Sequence, residues 1–278
     1  MIVSVASGKG GTGKTTVAVN LFRVLEKVQL LDCDVEAPNS HLFLNPTIKE
    51  TVTVTIPVPE VDLTNCDFCG VCKDVCAFHA ILVGKDTVLT FPELCHGCGG
   101  CSRLCPRECI KEVDRRIGVA HKADCDGKEI AWGLLDVGEP MGVPVIKKVK
   151  TFTRSDVDTI IDAPPGTSCP MVESIRGSDY CILVTEPTPF GLNDLELAVL
   201  TCKELGIPAG VVLNRAGIGD DSVARYCEKE SVPLLLEIPY ERRIAETYSR
   251  GELLVDAIPE VRERFVKLAR AVGLGGTS

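Results

Sequence analysis

Residues 8–15 read Gly-Lys-Gly-Gly-Thr-Gly-Lys-Thr and satisfy G-x-x-x-x-G-K-[ST]. No other feature restricts the fold as much. A loop of this kind turns successive backbone N–H groups inward around phosphates. It does so between the end of a strand and the start of a helix, where the helix dipole adds positive potential. Both neighbours are present: the apolar run 2–6 ahead, and a helical stripe of Val17, Leu21, Val24, Leu25 and Val28 over 14–27 behind. Lys14 is placed to neutralise the β and γ oxygens of a nucleotide, and Thr15 to ligate Mg²⁺. Gly8, Gly10, Gly11, Thr12, Gly13 and Thr16 complete the expected cradle.

Further short apolar runs occupy 28–34, 157–162, 180–186, 209–214 and 234–238. They are apolar throughout rather than alternating, which is the pattern of parallel strands covered on both faces. Helical patterns lie between them at 191–205, 220–231 and 259–272. The last carries Val261, Phe265, Leu268 and Val272 on one stripe, with Pro259 suited to a first turn. The predicted fold is α/β, a doubly wound and mostly parallel P-loop sheet. The alternation breaks between about 50 and 130. The chain is therefore divided into a first ATPase part (1–55), a small inserted α+β domain (56–111) and a second ATPase part (112–278).

The insert holds two cysteine runs with identical spacing, Cys66, Cys69, Cys72, Cys76 and, 29 residues later, Cys95, Cys98, Cys101, Cys105. Eight of fifteen cysteines fall in this short span of a 278-residue chain, which points to metal ligation in a reducing compartment rather than to disulfides. The start of the chain reads as a buried strand, not a signal peptide, and no apolar run reaches the roughly 18 residues of a membrane span, so a cytoplasmic protein without stable membrane insertion is expected. A net charge of −9 argues against nucleic acid as a partner. A C-x2-C-x2-C loop can wrap three corners of an iron–sulfur cube and needs a fourth thiolate from elsewhere. The runs resemble those of two-cluster ferredoxins, where the last Cys of each run serves the other cluster. Carried over, Cys66, Cys69, Cys72 and Cys105 hold one [4Fe–4S] cluster, and Cys95, Cys98, Cys101 and Cys76 the second. Pro106 follows the second run, whereas Ala77 stands in that place after the first. Zinc is the alternative, but it has no use for the third cysteine of each run.

The stretch “KGGTGKTT” (9–16) resembles the deviant Walker A motif of the MinD/ParA superfamily of P-loop ATPases. That resemblance implies a nucleotide-dependent homodimer in which Lys9 reaches the partner's nucleotide and adds charge in trans. “LLDCDVEAPN” (30–39) resembles the family's switch I, with Asp32 ending a strand and Asp34 orienting the attacking water or the metal. “TIIDAPPGTS” (159–168) resembles Walker B with switch II: Asp162 holds Mg²⁺ through water and Gly166 approaches the γ-phosphate. The implied catalytic set is Lys9, Lys14, Asp34 and Asp162. In “VVLNRAG” (211–217) Asn214 can read adenine, and Gly217 stands where a guanine reader would carry Asp, so ATP is the expected nucleotide. “IPYERRIAETYSRG” (238–251) is similar to the family's base-pocket segment. The remaining cysteines read as packed thiols or, for Cys109, Cys125, Cys202 and Cys227, as lacking partners at ligand spacing. Cys169 sits just past switch II, where the related nitrogenase iron protein places an inter-subunit cluster ligand, and is expected to face its twin.

Taken together, the chain is similar to MinD-superfamily ATPases with an inserted two-cluster ferredoxin domain. Three functions follow. The first is electron transfer to a redox partner, gated by ATP. The second is assembly or transfer of iron–sulfur clusters or metal cofactors. The paired-cysteine motif of Mrp-type scaffolds is missing from the C-terminal region, where Cys227 is the last cysteine. The third is a redox-sensing positioning ATPase. Protein isolated without air is expected to contain iron and acid-labile sulfide in matching amounts; zinc with no sulfide would move the runs to a zinc site.

Overall fold

The structure is a computed structural model and describes residues 1–276; the last two residues of the expected 112–278 span lie outside the described residues. The strands are β1 (Ile2–Ala6), β2 (Val28–Asp32), β3 (Thr47–Val61), β4 (Ile81–Val83), β5 (Val88–Thr90), β6 (Ile110–Cys125), β7 (Lys128–Leu135), β8 (Asp158–Asp162), β9 (Tyr180–Thr185), β10 (Ala209–Ala216) and β11 (Leu234–Pro239). Nine of them form one sheet in the order β11-β10-β9-β1-β8-β2-β7-β6-β3. All pairings from β11 to β7 are parallel, and the last two are antiparallel.

The continuous apolar runs follow from burial on both faces. Leu30 and Ile160 point into a core with Phe22 and Phe265. Their neighbours Leu31 and Ile161 point the other way, against Val145, Ile146 and Val149. A third cluster closes that second face farther along, where Leu183 and Val211 meet Met171, Leu195 and Val199. The period of two thus places apolar residues on both sides of every central strand.

The helix expected over 14–27 spans Lys14–Val24. Leu25 is extended, and Val28 pairs with Asp158 in the sheet instead of joining the helical stripe. At the C-terminus, the helix Pro259–Ala271 turns Val261, Phe265, Leu268 and Ala269 inward, as its stripe predicts. Its mixed-charge face, with Glu260, Arg262, Glu263 and Arg270, remains outside.

The break expected between 50 and 130 is a structural continuation. β3 and β6 pair along nearly their whole length, from Thr47 opposite Asp124 to Val61 opposite Ile110. The ribbon runs through the expected 55/56 and 111/112 boundaries, and pairing between its strands ends at Val61 and Ile110. Val54, Ile56 and Val58 face inward, while Thr53, Thr55 and Pro57 face out. Pro57 and Pro59 are tolerated because β3 is the sheet edge, and they discourage pairing with another chain there. β6 stays bonded to β7 only from Gly118 onward. At that point Val54 opposes Gly118 and Thr55 opposes Arg116, so Ile117 is an extra residue, a bulge. A bulge bends a strand and raises its twist. Here it sits where the ribbon leaves the sheet, pinned by Ile117 inside the core and by Asp136 N–H donating to its carbonyl at 2.9 Å. Gly118 must be glycine, since a Cβ there would lie 2.5 Å from the Leu134 carbonyl oxygen.

Residues 62–109 form a small unit beyond the ribbon. It contains the two-stranded sheet β4–β5 and the short helices Val71–Val75 and Gly100–Arg103. Its own core gathers Cys72, Ile81, Val88, Cys109 and Ile110, apart from the three clusters of the main sheet. Asp62 N–H donates to the Cys109 carbonyl at 2.8 Å, so the unit is entered and left at adjacent points.

Truncating the largest side chain beneath the C-terminal helix tests that docking. Phe265 is fully buried. Phe265→Ala should cost about 3–5 kcal/mol, read as a lower urea midpoint at unchanged slope.

Candidate functional site

The P-loop runs from the end of β1 to the helix Lys14–Val24. Two glycines are dictated by space. A Cβ on Gly8 would lie 2.2 Å from the Asp194 carbonyl oxygen, and one on Gly13 (φ 98°) 2.5 Å from the Asn214 amide nitrogen. Gly10, Gly11, Gly13, Lys14, Thr15, Thr16, Asp34 and Asn214 share a cleft of about 550 Å³ at the carboxyl ends of the strands. That is where a doubly wound sheet presents ligands. Thr12 lies buried behind the cleft. Gly166 is not among the lining residues; its N–H donates to the Ser7 carbonyl at 3.0 Å, which ties the turn after β8 to the P-loop.

Asp32 and Asp162 lie opposite each other on adjacent parallel strands, both buried. Burial raises both carboxyls above the ordinary range, and the Asp32 charge raises Asp162 further. Asp32 is fully satisfied by backbone. Its Oδ1 accepts from Asp34 N–H at 3.1 Å, and its Oδ2 from Asn39 and Ser40 N–H at 3.1 and 3.0 Å. It therefore shapes the loop 34–40 rather than meeting a ligand. Asp162 is different: Oδ2 accepts from the Ser40 hydroxyl at 3.3 Å, while Oδ1 has no partner although buried. An orphaned carboxylate oxygen next to the Thr15 hydroxyl supplies two oxygens of the kind an octahedral Mg²⁺ takes beside water and phosphate. Thr15 and Asp162 thus fit the ion. Lys14 is buried beside them, which lowers its ammonium, and Asp162, Asp34 and Asp32 oppose that shift.

Asp34 lines the cleft, and its carboxyl is raised to about 6 by burial and then by Asp32, against the pull of Lys14. Lys9, expected to serve a partner's nucleotide, is held within the chain by the Glu186 carboxylate at 3.3 Å. Arg215 pairs with the same buried carboxylate at 2.7 Å. Neither Glu186 nor Arg215 carries a sequence signal beyond its place at a strand end. Asn214 donates to the Thr12 carbonyl at 2.8 Å and accepts from Arg215 N–H at 2.9 Å, so it ties β10 to the P-loop as well as lining the cleft. The far wall comes from Ile218, Tyr240, Ile244 and Tyr248, three of them within the 238–251 segment.

The cysteine runs are brought together crosswise. Cys66, Cys69, Cys72 and Cys105 line one hollow, and Cys76, Cys95, Cys98 and Cys101 a second. Left-handed glycines carry the backbone past the thiols, with Gly70 at φ 86°, Gly97 at 64° and Gly99 at 70°. Among the described residues, no three His, Cys, Asp or Glu side chains converge as they would around a single ion. The thiols are spread around the hollows instead.

Two cysteines expected to stand alone do not. Cys202 sits against Cys181 in the core. The Cys109 thiol lies 3.5 Å from that of Cys105 and lines the first hollow. It stands four residues after Cys105, the same step that ends each cysteine run, and that repeat of the spacing is the sequence signal for the approach. Cys125 and Cys227 are packed thiols. Cys169 is exposed at the start of the helix Cys169–Ile175, away from both hollows.

Comparison with known proteins places this geometry. The CobQ/CobB/MinD/ParA nucleotide binding domain profile matches residues 3–255. An uncharacterized protein of Methanocaldococcus jannaschii is 32% identical over 264 residues, covering 91% of this chain and 90% of its own. The iron-sulfur cluster carrier protein of the same organism is 24% identical over 294 residues, covering 97% and 83%. The septum site-determining protein MinD from Pyrococcus horikoshii, solved with Mg-ADP, superposes with a TM-score of 0.59 at 23% identity, covering 98% of this chain and 95% of that one. No described helix is long and apolar enough to cross a membrane.

Asp34 gives the site a pH signature. The unfolded chain releases this proton near 3.8, the folded chain near 6. Between those values the folded state binds more protons, so the Asp34 contribution weakens the fold as pH rises. In Mg²⁺-free, nucleotide-free buffer, Asp34→Asn should lose stability less steeply than the parent across that window. Asp32 and Asp162 leave it a residual slope of the same sign. Equal slopes in denaturation midpoints would show that Asp34 is not buried as charge.

Proposed function

The chain belongs to the CobQ/CobB/MinD/ParA nucleotide-binding family of P-loop ATPases, and from that premise we propose that it is an ATPase of iron–sulfur cluster assembly, carrying two [4Fe–4S] clusters in residues 62–109. The observation that carries the reading is the crosswise pairing of the runs, in which each hollow takes three thiols from one run and a fourth from the other. Four thiolates per hollow match the requirement of a cube. Relatives named iron-sulfur cluster carrier proteins support assembly over the electron-transfer reading that the cysteine runs alone put first. The redox-sensing positioning reading gains no such support.

The chain's residues would act as follows. Lys14 and the P-loop N–H groups hold the phosphates of ATP, and Thr15 with Asp162 holds Mg²⁺, which offsets charge on the β and γ oxygens. Asp34 orients water at the γ-phosphate. Lys9 leaves Glu186 and crosses to a second copy's nucleotide, completing a closed homodimer. Bound clusters supply iron and sulfide in transferable form. The thiols of each hollow hold them, and the glycine-bounded loops bring backbone N–H groups close to sulfur.

The route between nucleotide and cysteines is short. Asp32 fixes Asn39 and Ser40, the helix Ser40–Leu44 follows, and β3 starts at Thr47. Val35 in the same loop packs with Val145 and Val149 under the ribbon's inner face. A rearrangement of loop 34–40 on hydrolysis therefore acts on the base of the ribbon.

The test loads the protein anaerobically with isotopically labelled iron and adds an apo-ferredoxin acceptor. Label and sulfide should move to the acceptor, several-fold faster or slower with MgATP than without. Lys14→Ala should erase that nucleotide effect. ATP-dependent reduction of a dye with no iron moved would reinstate electron transfer as the function.

A further inference from the structure

The first hollow contains five thiols. Besides Cys66, Cys69, Cys72 and Cys105 it is lined by Cys109, whose sulfur is 3.5 Å from that of Cys105 and which also neighbours Cys66. The second hollow has four. A [4Fe–4S] cube has four irons, each taking one thiolate, so one thiol in the first hollow is surplus.

The surplus thiol is held in place by backbone. After Cys105 and Pro106, Glu108 takes a left-handed conformation at φ 51°, and its N–H donates to the Cys105 carbonyl at 3.2 Å. This tight turn reverses the chain and returns Cys109 beside Cys105. The Cys109 carbonyl then accepts from Asp62 N–H at 2.8 Å, locking the residue to the end of the ribbon. Cys109 is 5% exposed, with Ile110, Ile81 and Val88 in the same small core. Cys105 is more open to solvent. On its outer side Cys109 borders a polar hollow lined by Asp62, Asn65, Arg107 and Lys111.

The geometry points to Cys109 as a reserve ligand of the first cluster, able to replace Cys105 at its iron. The inference rests on the cluster reading above. The exchange is a ligand substitution without change of oxidation state. The iron–sulfur bond to Cys105 breaks, one to Cys109 forms, and the proton of the Cys109 thiol passes to the released Cys105 sulfur. For a protein that hands clusters on, the exchange frees the more open thiol while the cluster stays held by four.

The test compares iron and sulfide per chain after anaerobic reconstitution, with EPR of the reduced and oxidised samples and far-UV circular dichroism as the fold control. The parent should hold two clusters' worth. Cys105→Ala should hold the same, with a four-iron signal, and so should Cys109→Ser. Cys105→Ala/Cys109→Ser should fall to half. Cys69→Ala, with no spare thiol beside it, should also fall to half. A three-iron signal or half-loss in Cys105→Ala alone would overturn the inference and leave the cluster reading standing. A parent without sulfide would overturn both. A second measurement needs no variant. Iodoacetamide treatment of the loaded parent, mapped by mass spectrometry, should label Cys105 without loss of iron. Label at Cys105 only in step with iron loss would equally overturn it.

Discussion

Two carboxylates buried side by side, Asp32 and Asp162, set the terms for the rest of the molecule. They stand in register on neighbouring parallel strands, with the Lys14 ammonium as the one buried cation nearby among the described residues. Burying like charges in this way is costly unless each is bonded or neutralised. Asp32 meets the requirement with three backbone N–H groups, and in doing so fixes the course of loop 34–40. Asp162 meets it only in part, and its free oxygen defines where a divalent ion is wanted. The nucleotide cleft and the course of loop 34–40 are therefore two results of a single electrostatic problem.

That loop also feeds the antiparallel ribbon, which solves a separate difficulty. A cysteine-rich unit of fewer than fifty residues has little apolar core, and here that core is largely sulfur and a few β-branched side chains. Standing it on a two-stranded extension of a nine-stranded sheet gives it a fixed base. The bulge at Ile117 lets the ribbon twist away from β7 while its inner face, Val54, Ile56 and Val58, stays in one core with Val145, Ile146 and Val149.

Much of this was legible in the residues. The P-loop spacing placed a strand, a turn and a helix, and the apolar runs at 28–34, 157–162, 180–186, 209–214 and 234–238 each hold a strand of the parallel sheet. Those signals are local, so sequence carries them well. The ribbon is half visible: “TVTVTIPVPEVDL” (51–63) is strand-like though interrupted by proline, but its pairing with β6 is a long-range fact. β7 went unread because “KEIAWGLL” has no clean period. The Lys9–Glu186–Arg215 cluster is hidden in the residues because it joins side chains far apart in the chain, whereas the Cys105–Cys109 approach repeats the four-residue step that ends each cysteine run. Val28 suits both the helical stripe and the apolar run 28–34, and sheet pairing decides for the strand.

The ribbon's closure at Val61 and Ile110 has an evolutionary corollary. Every hydrogen bond the large sheet needs from these two strands is already made before the chain departs into the cysteine-rich unit and after it returns. Topologically the unit is a bead at the tip of a hairpin. Its length can drift, or another bead can be exchanged for it, at a loop-closure penalty that grows only logarithmically with the residues enclosed. The sheet and its cleft would keep every hydrogen bond through such a change, because none of the ribbon's pairings lies within the enclosed residues.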